Sequence, residues 1–162
     1  WRVMRVGLIS DTHNLLRPQV FGVFDGVDLI LHAGDVGDMD IIVELETIAP
    51  VQAVLGNTDS MELRPRLQDE LRLELEGHRV VVVHGHALGS PNAERLLAVY
   101  PDADVIVYGH THRQRLDELD GCFIVNPGAA GAARFDLKPS VALLTLDPNV
   151  APLVEHIPLV PG

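Results

Sequence analysis

Five short apolar segments of this chain each end in a turn of glycine and polar residues. The turns are Asp11-Thr12-His13, Gly34-Asp35, Gly56-Asn57-Thr58-Asp59, His84-Gly85-His86 and Gly109-His110-Thr111-His112. Short continuous apolar runs bounded by turn residues are typical of buried strands. Because ligand sites in open α/β sheets lie beyond the carboxyl ends of the strands, the five turns are predicted to meet in one crevice.

The first part of the chain alternates strands and helices, and the last part is a series of strands. Strands are predicted over residues 4–10, 29–33, 51–55, 70–75, 79–83, 105–108, 113–119, 122–126, 140–147 and 151–157. Helices are predicted over residues 18–24, 39–48 and 92–100, and residues 60–69 receive no assignment. This order predicts an α/β fold in which two mixed β-sheets pack together with helices outside.

Length and charge bound the class of protein. The 162 residues fit a single domain over residues 1–162 with a substantial core. Twelve Lys and Arg against 23 Asp and Glu give a formal net charge of −11. Such a surface repels long nucleic acids and anionic membranes, but it does not exclude a small phosphorylated substrate held by a local cation.

The N-terminal residues and the single cysteine bear on location. Cys122 cannot form an intrachain disulfide, and its apolar neighbours predict a buried structural thiol. No apolar run approaches the roughly 20 residues of a membrane helix. The N-terminal residues lack the pattern of a signal peptide, so a cytoplasmic location is expected. Met4 is a candidate for the natural start of the chain, so no prediction is based on residues 1–3.

The spacing within the turns favours a metal site. In extended backbone residues i and i+2 project to one side, which predicts that three pairs face together: Asp11 with His13, His84 with His86, and His110 with His112. The side chains offer carboxylate, amide and imidazole ligands without a thiolate, a set that suits Mn, Fe, Ni or Zn. One isolated His-x-His is more often structural, but five converging turns indicate a metal centre.

Taken in order, these turns resemble the motif series of calcineurin-like metallophosphoesterases. The residues that carry the resemblance are Asp11-Thr12-His13, Gly34-Asp35, Gly56-Asn57, His84 and Gly109-His110-Thr111-His112. The short length and Asn126-Pro127-Gly128 are similar to the small prokaryotic YfcE-type phosphodiesterase subgroup. The resemblance covers about residues 4–157. It implies a four-layer α/β/β/α sandwich of two mixed β-sheets flanked by helices.

The resemblance also implies two divalent metal ions. One ion would be held by Asp11, His13, Asp35 and His112, and the other by Asp35, Asn57, His84 and His110. Asp35 would bridge the ions, since a shared carboxylate offsets the repulsion between two cations. Manganese is the expected metal, with Ni, Fe, Co and Zn as alternatives, because ligand type alone does not select among them.

The activity that the resemblance implies is a dinuclear-metal-dependent phosphodiesterase. A hydroxide bridging the metals would attack phosphorus in line, and the catalytic candidates are Asp35, Asn57 and His86. A phosphomonoesterase and a nuclease are alternatives that the motifs do not separate. A non-catalytic scaffold, like the retromer subunit of this superfamily, is the alternative from another class, but here every ligand position is filled. A homodimer is a further expectation.

One position departs from the pattern of many superfamily members. Thr58 stands where a histidine thought to assist the leaving group is common. Threonine cannot act as a general acid near neutral pH, which favours substrates with activated or acidic leaving groups. His86 is the nearest substitute by sequence, with a hydrogen-bonding role beside a ligand as its alternative. Ala129 replaces a serine that often follows Asn126-Pro127-Gly128 in the family.

Several polar residues beside the turns have structural alternatives. Asp59 either orients a ligand histidine or forms its own turn. His32 is expected to be a buried histidine with satisfied hydrogen bonds, and Asn14 to shape its loop. Arg134 is a candidate contact for substrate phosphate, with an exposed structural arginine as the alternative.

Overall fold

The computed structural model describes residues 3–131 and 137–159, in which ten strands form two five-stranded sheets. The first sheet contains β1 (Met4–Ile9), β2 (Leu29–His32), β3 (Val51–Ala53), β9 (Ser140–Leu146) and β10 (Leu153–Pro158). The second contains β4 (Glu70–Leu75), β5 (His78–Val83), β6 (Val105–Val107), β7 (Arg115–Leu119) and β8 (Cys122–Asn126). The helices are α1 (Gln19–Val23), α2 (Met39–Glu46) and α3 (Ala93–Val99).

Both sheets are mixed, as predicted. The strand order is β10-β9-β1-β2-β3 in the first sheet and β4-β5-β6-β8-β7 in the second. β1, β2 and β3 are parallel to one another, and so are β5, β6 and β8. The remaining pairs are antiparallel. Each sheet therefore has three adjacent parallel strands that end at the same edge, and five of these six strands precede the five polar turns.

Three groups of buried side chains separate four layers. Val6 and Leu8 of the first sheet pack against Val82 and Val107 of the second, which forms the core between the sheets. The outer face of the first sheet packs on α1 and α2, and that of the second packs on α3. Each fully buried aliphatic side chain stabilises the fold by about 1.5–3 kcal/mol. The predicted four-layer α/β/β/α sandwich is confirmed.

The strands and helices end within two residues of their predicted limits. Side-chain caps define two helix starts, since Asp38 accepts from the amide of Asp40 and Asn92 from that of Arg95. A short 3₁₀ helix over His86–Leu88 was not predicted.

Cys122 is buried as expected, and burial raises the pKa of its thiol to about 11. None of the described helices combines the length and apolar character that a membrane span requires.

Candidate metal centre

The five polar turns meet at one edge of the sandwich. The amide of Asp11 donates to the carbonyl of Gly34 (3.0 Å), and the amide of Gly109 donates to the carbonyl of His84 (3.1 Å). These bonds tie the turn after β1 to that after β2, and the turn after β6 to that after β5. The convergence predicted from parallel strand ends is therefore present.

Three side chains form the more open half of the cluster. The Nε2 atoms of His13 and His112 lie 3.7 and 3.4 Å from Oδ1 of Asp11, and 3.3 Å from each other. Zinc, as one example, binds imidazole nitrogen and carboxylate oxygen at about 2.0–2.2 Å, so ligand atoms at these separations can share one ion. We call Asp11, His13 and His112 the open half.

The other half is built around two buried side chains, Asp35 and His84, whereas His110 is partly buried and Asn57 is exposed. Nε2 of His84 lies 3.2 Å from Oδ2 of Asp35, 3.9 Å from Oδ1 of Asp11 and 3.1 Å from Oδ1 of Asn57. The ring of His110 lies edge-on to that of His84, with the ring centres 5.2 Å apart. We call Asp35, Asn57, His84 and His110 the buried half. It contains the four residues predicted to hold the second ion.

Two carboxylates lie between the halves. Oδ2 of Asp35 is 3.6 Å from Nε2 of His13 in the open half and 3.2 Å from Nε2 of His84 in the buried half. Oδ1 of Asp11 also faces both halves, at 3.4 Å from His112 and 3.9 Å from His84. The geometry is suited to a bridging Asp35, but it also gives Asp11 an intermediate position, so the bridging assignment stays a prediction.

One buried carboxylate oxygen of the cluster has no hydrogen-bond donor. Oδ2 of Asp11 accepts from the Ser10 hydroxyl (2.7 Å) and the His110 amide (3.1 Å), whereas Oδ1 is buried without a hydrogen bond. A buried polar atom left unpaired costs about 1–3 kcal/mol, and more for a charged group. Because the same oxygen faces imidazole nitrogens, a divalent cation would satisfy it, and the residues present fit a metal site.

Hydrogen bonds fix the orientation of His84. Its Nδ1–H donates to the carbonyl of Ala33 (2.8 Å), which leaves Nε2 facing the carboxylates. Burial alone would lower the pKa of His84, but the hydrogen bond to Asp35 and the charges of Asp11 and Asp35 raise it. Burial likewise opposes ionisation of Asp35, but His84 and the amide of Thr58 (2.9 Å) hold its pKa below the usual range.

The backbone of the turns corrects one prediction. The candidate ligands Asp11, His13, Asp35, His110 and His112 have positive φ angles between 45° and 73°, instead of the extended backbone expected. The i, i+2 pairs consequently do not all face together: the His112 ring approaches His13 at 5.1 Å between centres, and the His110 ring approaches His84. Left-handed backbone at non-glycine residues is uncommon and clusters at functional sites.

His86 does not join the cluster in the way that its spacing from His84 predicts. It begins the 3₁₀ helix, and it is exposed. Its ring centre lies 5.4 Å from that of His84 and 6.4 Å from that of His110. His86 therefore lies at the rim of the buried half.

Two glycines allow the turns to approach closely. A Cβ at Gly56 would overlap the backbone and carboxylate of Asp35, and a Cβ at Gly109 would overlap Ser10 and lie 2.7 Å from Oδ2 of Asp11. The glycines in Gly56-Asn57 and Gly109-His110 are thus required by packing around the two carboxylates.

The residues beside the turns are mostly structural. Asp59 accepts from the amides of Gly37 (3.0 Å) and Gly56 (2.7 Å), so it joins two turns instead of orienting a ligand histidine. His32 is buried and satisfied, with Nδ1 accepting from Gly34 and Nε2 bonded to Thr12, as expected. The loop role of Asn14 is confirmed by its paired hydrogen bonds to Asp38. Arg134 lies outside the described residues.

Asn126 is a supporting residue whose side chain the sequence reasoning missed. Its amide donates to the carbonyl of Gly109 (3.2 Å) and the hydroxyl of Thr111 (3.1 Å), so it braces the turn that carries His110 and His112. Its Oδ1 accepts from the amide of Gly128 (2.9 Å). The Asn126-Pro127-Gly128 motif was the available signal, but only a turn was inferred from it.

Comparison with known proteins agrees with this geometry. The profile of the calcineurin-like phosphoesterase superfamily domain matches residues 4–149, and the chain belongs to this superfamily. A probable metallophosphoesterase from Methanothermobacter thermautotrophicus is 39% identical over 151 residues, which cover 89% of this chain and 87% of that protein. Phosphodiesterase YfcE of Escherichia coli is 31% identical over 107 residues, 63% of this chain and 56% of that protein. The predicted family is confirmed.

Solved structures show the same architecture. An archaeal phosphodiesterase superposes with a TM-score of 0.79 and 25% identity, covering 96% of this chain and 100% of that one. Vps29 from Entamoeba histolytica, solved in complex with Zn²⁺, superposes with a TM-score of 0.78 and 25% identity, covering 96% and 99%. The relatives named for phosphoesterase activity support a hydrolase with metal-binding residues.

Proposed function

We propose that this protein is a dinuclear-metal-dependent phosphodiesterase acting on a small phosphorylated substrate. The observation that carries the proposal is the unpaired, buried Oδ1 of Asp11, which lies among imidazole nitrogens beside Asp35. Such a constellation is costly for a purely structural cluster and suits divalent cations. The family and the relatives named as phosphodiesterases support the choice of reaction.

The proposed metal ligands form two sets, one for each ion. The open half, with Asp35, would hold one ion, and the buried half would hold the other. A metal pair in this position supplies Lewis acidity to phosphoryl oxygens and lowers the pKa of coordinated water towards about 7. Manganese is the metal that we propose first, with Ni, Fe, Co and Zn as alternatives.

Neighbouring backbone groups would orient the metal ligands, and the side chain at position 58 would limit proton transfer to the leaving group. The Ala33 carbonyl holds His84 in the tautomer that presents Nε2, and the Thr58 amide holds Oδ1 of Asp35, which leaves Oδ2 facing both halves. Thr58 has no acidic side-chain proton to give to a leaving group. His86 at the rim is the group that we propose for proton donation, and easily expelled leaving groups would need it least.

The test compares hydrolysis of bis(p-nitrophenyl) phosphate with that of p-nitrophenyl phosphate. The protein is stripped with chelator and assayed with and without added Mn²⁺, Ni²⁺, Co²⁺ or Zn²⁺. The expected result is metal-dependent turnover that favours the diester. Preference for the monoester would replace the proposal by a phosphomonoesterase, and hydrolysis of oligonucleotides in preference to either would replace it by a nuclease.

If the protein binds metal but hydrolyses no phosphoester, that result would support a non-catalytic scaffold instead of an enzyme. The similarity to Vps29 extends over nearly the whole chain, so the fold alone does not distinguish the two functions. Binding of Mn²⁺ measured by calorimetry, with no turnover of any phosphoester, would contradict the phosphodiesterase proposal.

A further inference from the structure

A groove of about 620 Å³ opens beside the open half of the metal centre. It lies between the beginning of β7 and the end of β10, and its wall includes Thr111, His112, Arg113, Lys138 and His156. The volume is within the range of small-molecule sites, about 300–1,000 Å³. Because His112 belongs to both the groove wall and the open half, a ligand in the groove would extend from the metal centre.

The groove is basic in an acidic protein. The chain has 12 Lys and Arg against 23 Asp and Glu, yet the described lining includes Arg113, Arg115 and Lys138 and no carboxylate. Arg115 is paired with Asp117 through bonds of 2.7 and 3.2 Å. In the described part of the chain, Arg113 and Lys138 form no ion pair. Two cations are therefore available to an anionic ligand.

The groove is held to the turn that carries the candidate ligands. His156 donates from Nε2 to the carbonyl of Asn126 (2.8 Å), and the Asn126 side chain donates to Thr111 (3.1 Å). Thr111 lies between His110 and His112. A chain of hydrogen bonds thus joins the far wall of the groove, on β10, to the turn at the metal centre, which fixes one relative to the other.

A second cavity, beside His84 and His86, has the contrary character. It measures about 330 Å³ and is lined by His84 and His86, by apolar side chains such as Leu88 and Leu96, and by Asp69 and Glu70. Its carboxylates would repel a phosphate. An anionic substituent is therefore favoured in the basic groove beside His112 and disfavoured in the cavity beside His84.

We propose that the basic groove binds a second phosphate, carried on one ester substituent of a small phosphodiester substrate. This inference rests on the proposed phosphodiesterase function and adds the substrate class. Arg113 offers the planar fork that binds phosphate oxygens in pairs, and Lys138 offers a point charge. The net charge of −11 opposes a long polyanion, so the ligand is a small bisphosphorylated compound rather than a nucleic-acid strand.

A matched pair of substrates tests the groove. Thymidine 5′-(p-nitrophenyl phosphate) and its 3′-phosphorylated analogue release the same leaving group and differ only in a second phosphate. We expect kcat/KM of the metal-loaded protein to be at least about tenfold higher for the 3′-phosphorylated substrate, through a lower KM, because charge-assisted contacts to phosphate are strong. The preference should shrink as ionic strength rises.

The variants Arg113→Gln and Lys138→Gln locate the effect. The readout is the ratio of kcat/KM for the two substrates, since a general loss of folding or metal lowers both values and leaves their ratio unchanged. Each variant should reduce the ratio, and the double variant should bring it close to one. Arg79→Gln is the matched control, because Arg79 is exposed at the beginning of β5, whereas His84 follows the other end. It should keep the ratio of the parent.

Binding provides a readout that does not need turnover. Calorimetry should show thymidine 3′,5′-bisphosphate binding more tightly than thymidine 5′-phosphate to the metal-loaded protein, and less so to the Arg113→Gln, Lys138→Gln double variant. Turnover of both substrates with equal kcat/KM would overturn the groove proposal alone. No turnover of either, with the binding preference intact, would overturn the phosphodiesterase and leave the groove as a bisphosphate site.

Discussion

The two halves of the metal centre differ in how they are held. In the buried half, the side chains of Asp35 and His84 are 4% and 0% exposed, and both are fixed by hydrogen bonds to the backbone of neighbouring turns. In the open half, the side chains of His13 and His112 are 24% and 12% exposed. Asp35 and His84 are thus embedded in the core, whereas His13 and His112 are accessible to solvent.

This difference implies that the two halves have different roles in stability and in metal binding. The buried half is continuous with the core, because His84 packs beneath Gly34 and donates to Ala33 at the end of β2. Asp35 and His84 should therefore contribute to stability even without metal. The open half borders the basic groove, so its residues should matter for metal binding and substrate more than for folding. Substitutions that act on one half at a time can test this contrast.

The largest expected effect comes from the carboxylate that lies between the halves. Asp35→Asn keeps the shape of the side chain and an acceptor for the Thr58 amide, but removes the charge that would serve both ions. We expect turnover to fall by more than about 100-fold, because losing even an outer partner of a metal ligand typically costs 10–100-fold. Initial rates with saturating Mn²⁺ measure the effect.

The control for Asp35→Asn is Asp38→Asn in the same loop. Asp38 caps α2, and asparagine caps a helix about as well as aspartate, so this variant should keep the activity of the parent. Activity of Asp35→Asn within threefold of the parent would refute the bridging role. The same measurement on Asp11→Asn then decides whether Asp11, which also faces both halves, is the shared ligand.

The two halves should differ most clearly in how their residues affect the stability of the metal-free protein. His84→Ala leaves the Ala33 carbonyl unpaired and a cavity in the core, and we expect it to lower the free energy of unfolding by about 2–4 kcal/mol. His112→Ala, at the more exposed end, should cost less than about 1 kcal/mol and mainly lower metal occupancy. Urea unfolding in chelator measures the first effect, and calorimetric Mn²⁺ titration measures the second.

Equal destabilisation by His84→Ala and His112→Ala would remove the distinction between the halves. A loss of cooperative unfolding in metal-free His112→Ala would contradict the assignment of His112 to metal binding. The comparison is internally controlled, since both variants delete an imidazole from the same cluster.

The third prediction concerns pH and the support beneath the buried half. Burial lowers the pKa of His32 to about 4, against the partial opposition of Asp59 and Asp11. The unfolded chain has the ordinary value of about 6.5, so between these values the unfolded state binds more protons. The stability that neutral His32 provides is therefore complete above about pH 6.5 and is lost as the pH falls towards 4.

The measurement is urea unfolding of the metal-free protein at pH 7.5 and pH 5, for the parent and for His32→Gln. Linkage through His32 predicts that the parent loses about 2 kcal/mol more than the variant over this interval. Subtracting the variant removes contributions from groups that both proteins share, including Asp35 and His84. The same pH dependence in both proteins would show that His32 is not the responsible group.

The sequence predicted the positions of the turns better than their internal geometry. Strand ends and glycines at Gly34, Gly56 and Gly109 are encoded locally, by runs of apolar residues and by breaks in them. The left-handed backbone at His110 and His112 is imposed by packing between the turns, which no spacing rule contains. For this reason the pairing of His112 with His13, and of His110 with His84, could not be read from an i, i+2 pattern.

The supporting residues show the same limit. Asn126 is 17 residues from Gly109 in sequence, and the hydrogen bond between them depends on the pairing of β6 with β8. The basic groove likewise joins Arg113 and Lys138 from loops that lead into strands of different sheets, β7 and β9. Sequence could supply the candidate ligands because each belongs to a motif, whereas residues that act across sheets required the fold.

The smallest predicted effect is on the hydrolysis rate, and it distinguishes His86 at the rim of the buried half from the ligands inside it. His86→Ala should slow hydrolysis of a phenyl phosphodiester by about tenfold or more while changing the p-nitrophenyl diester by less than about threefold, because phenol is the weaker acid and needs protonation more. His78→Ala is the matched control, since His78 is the first residue of β5 and bonds to the Asp147 carbonyl. An equal loss on both substrates would mean that His86 orients a neighbouring group such as His84. A selective loss would make the exposed rim, rather than the buried ligands, the source of the proton that Thr58 cannot give.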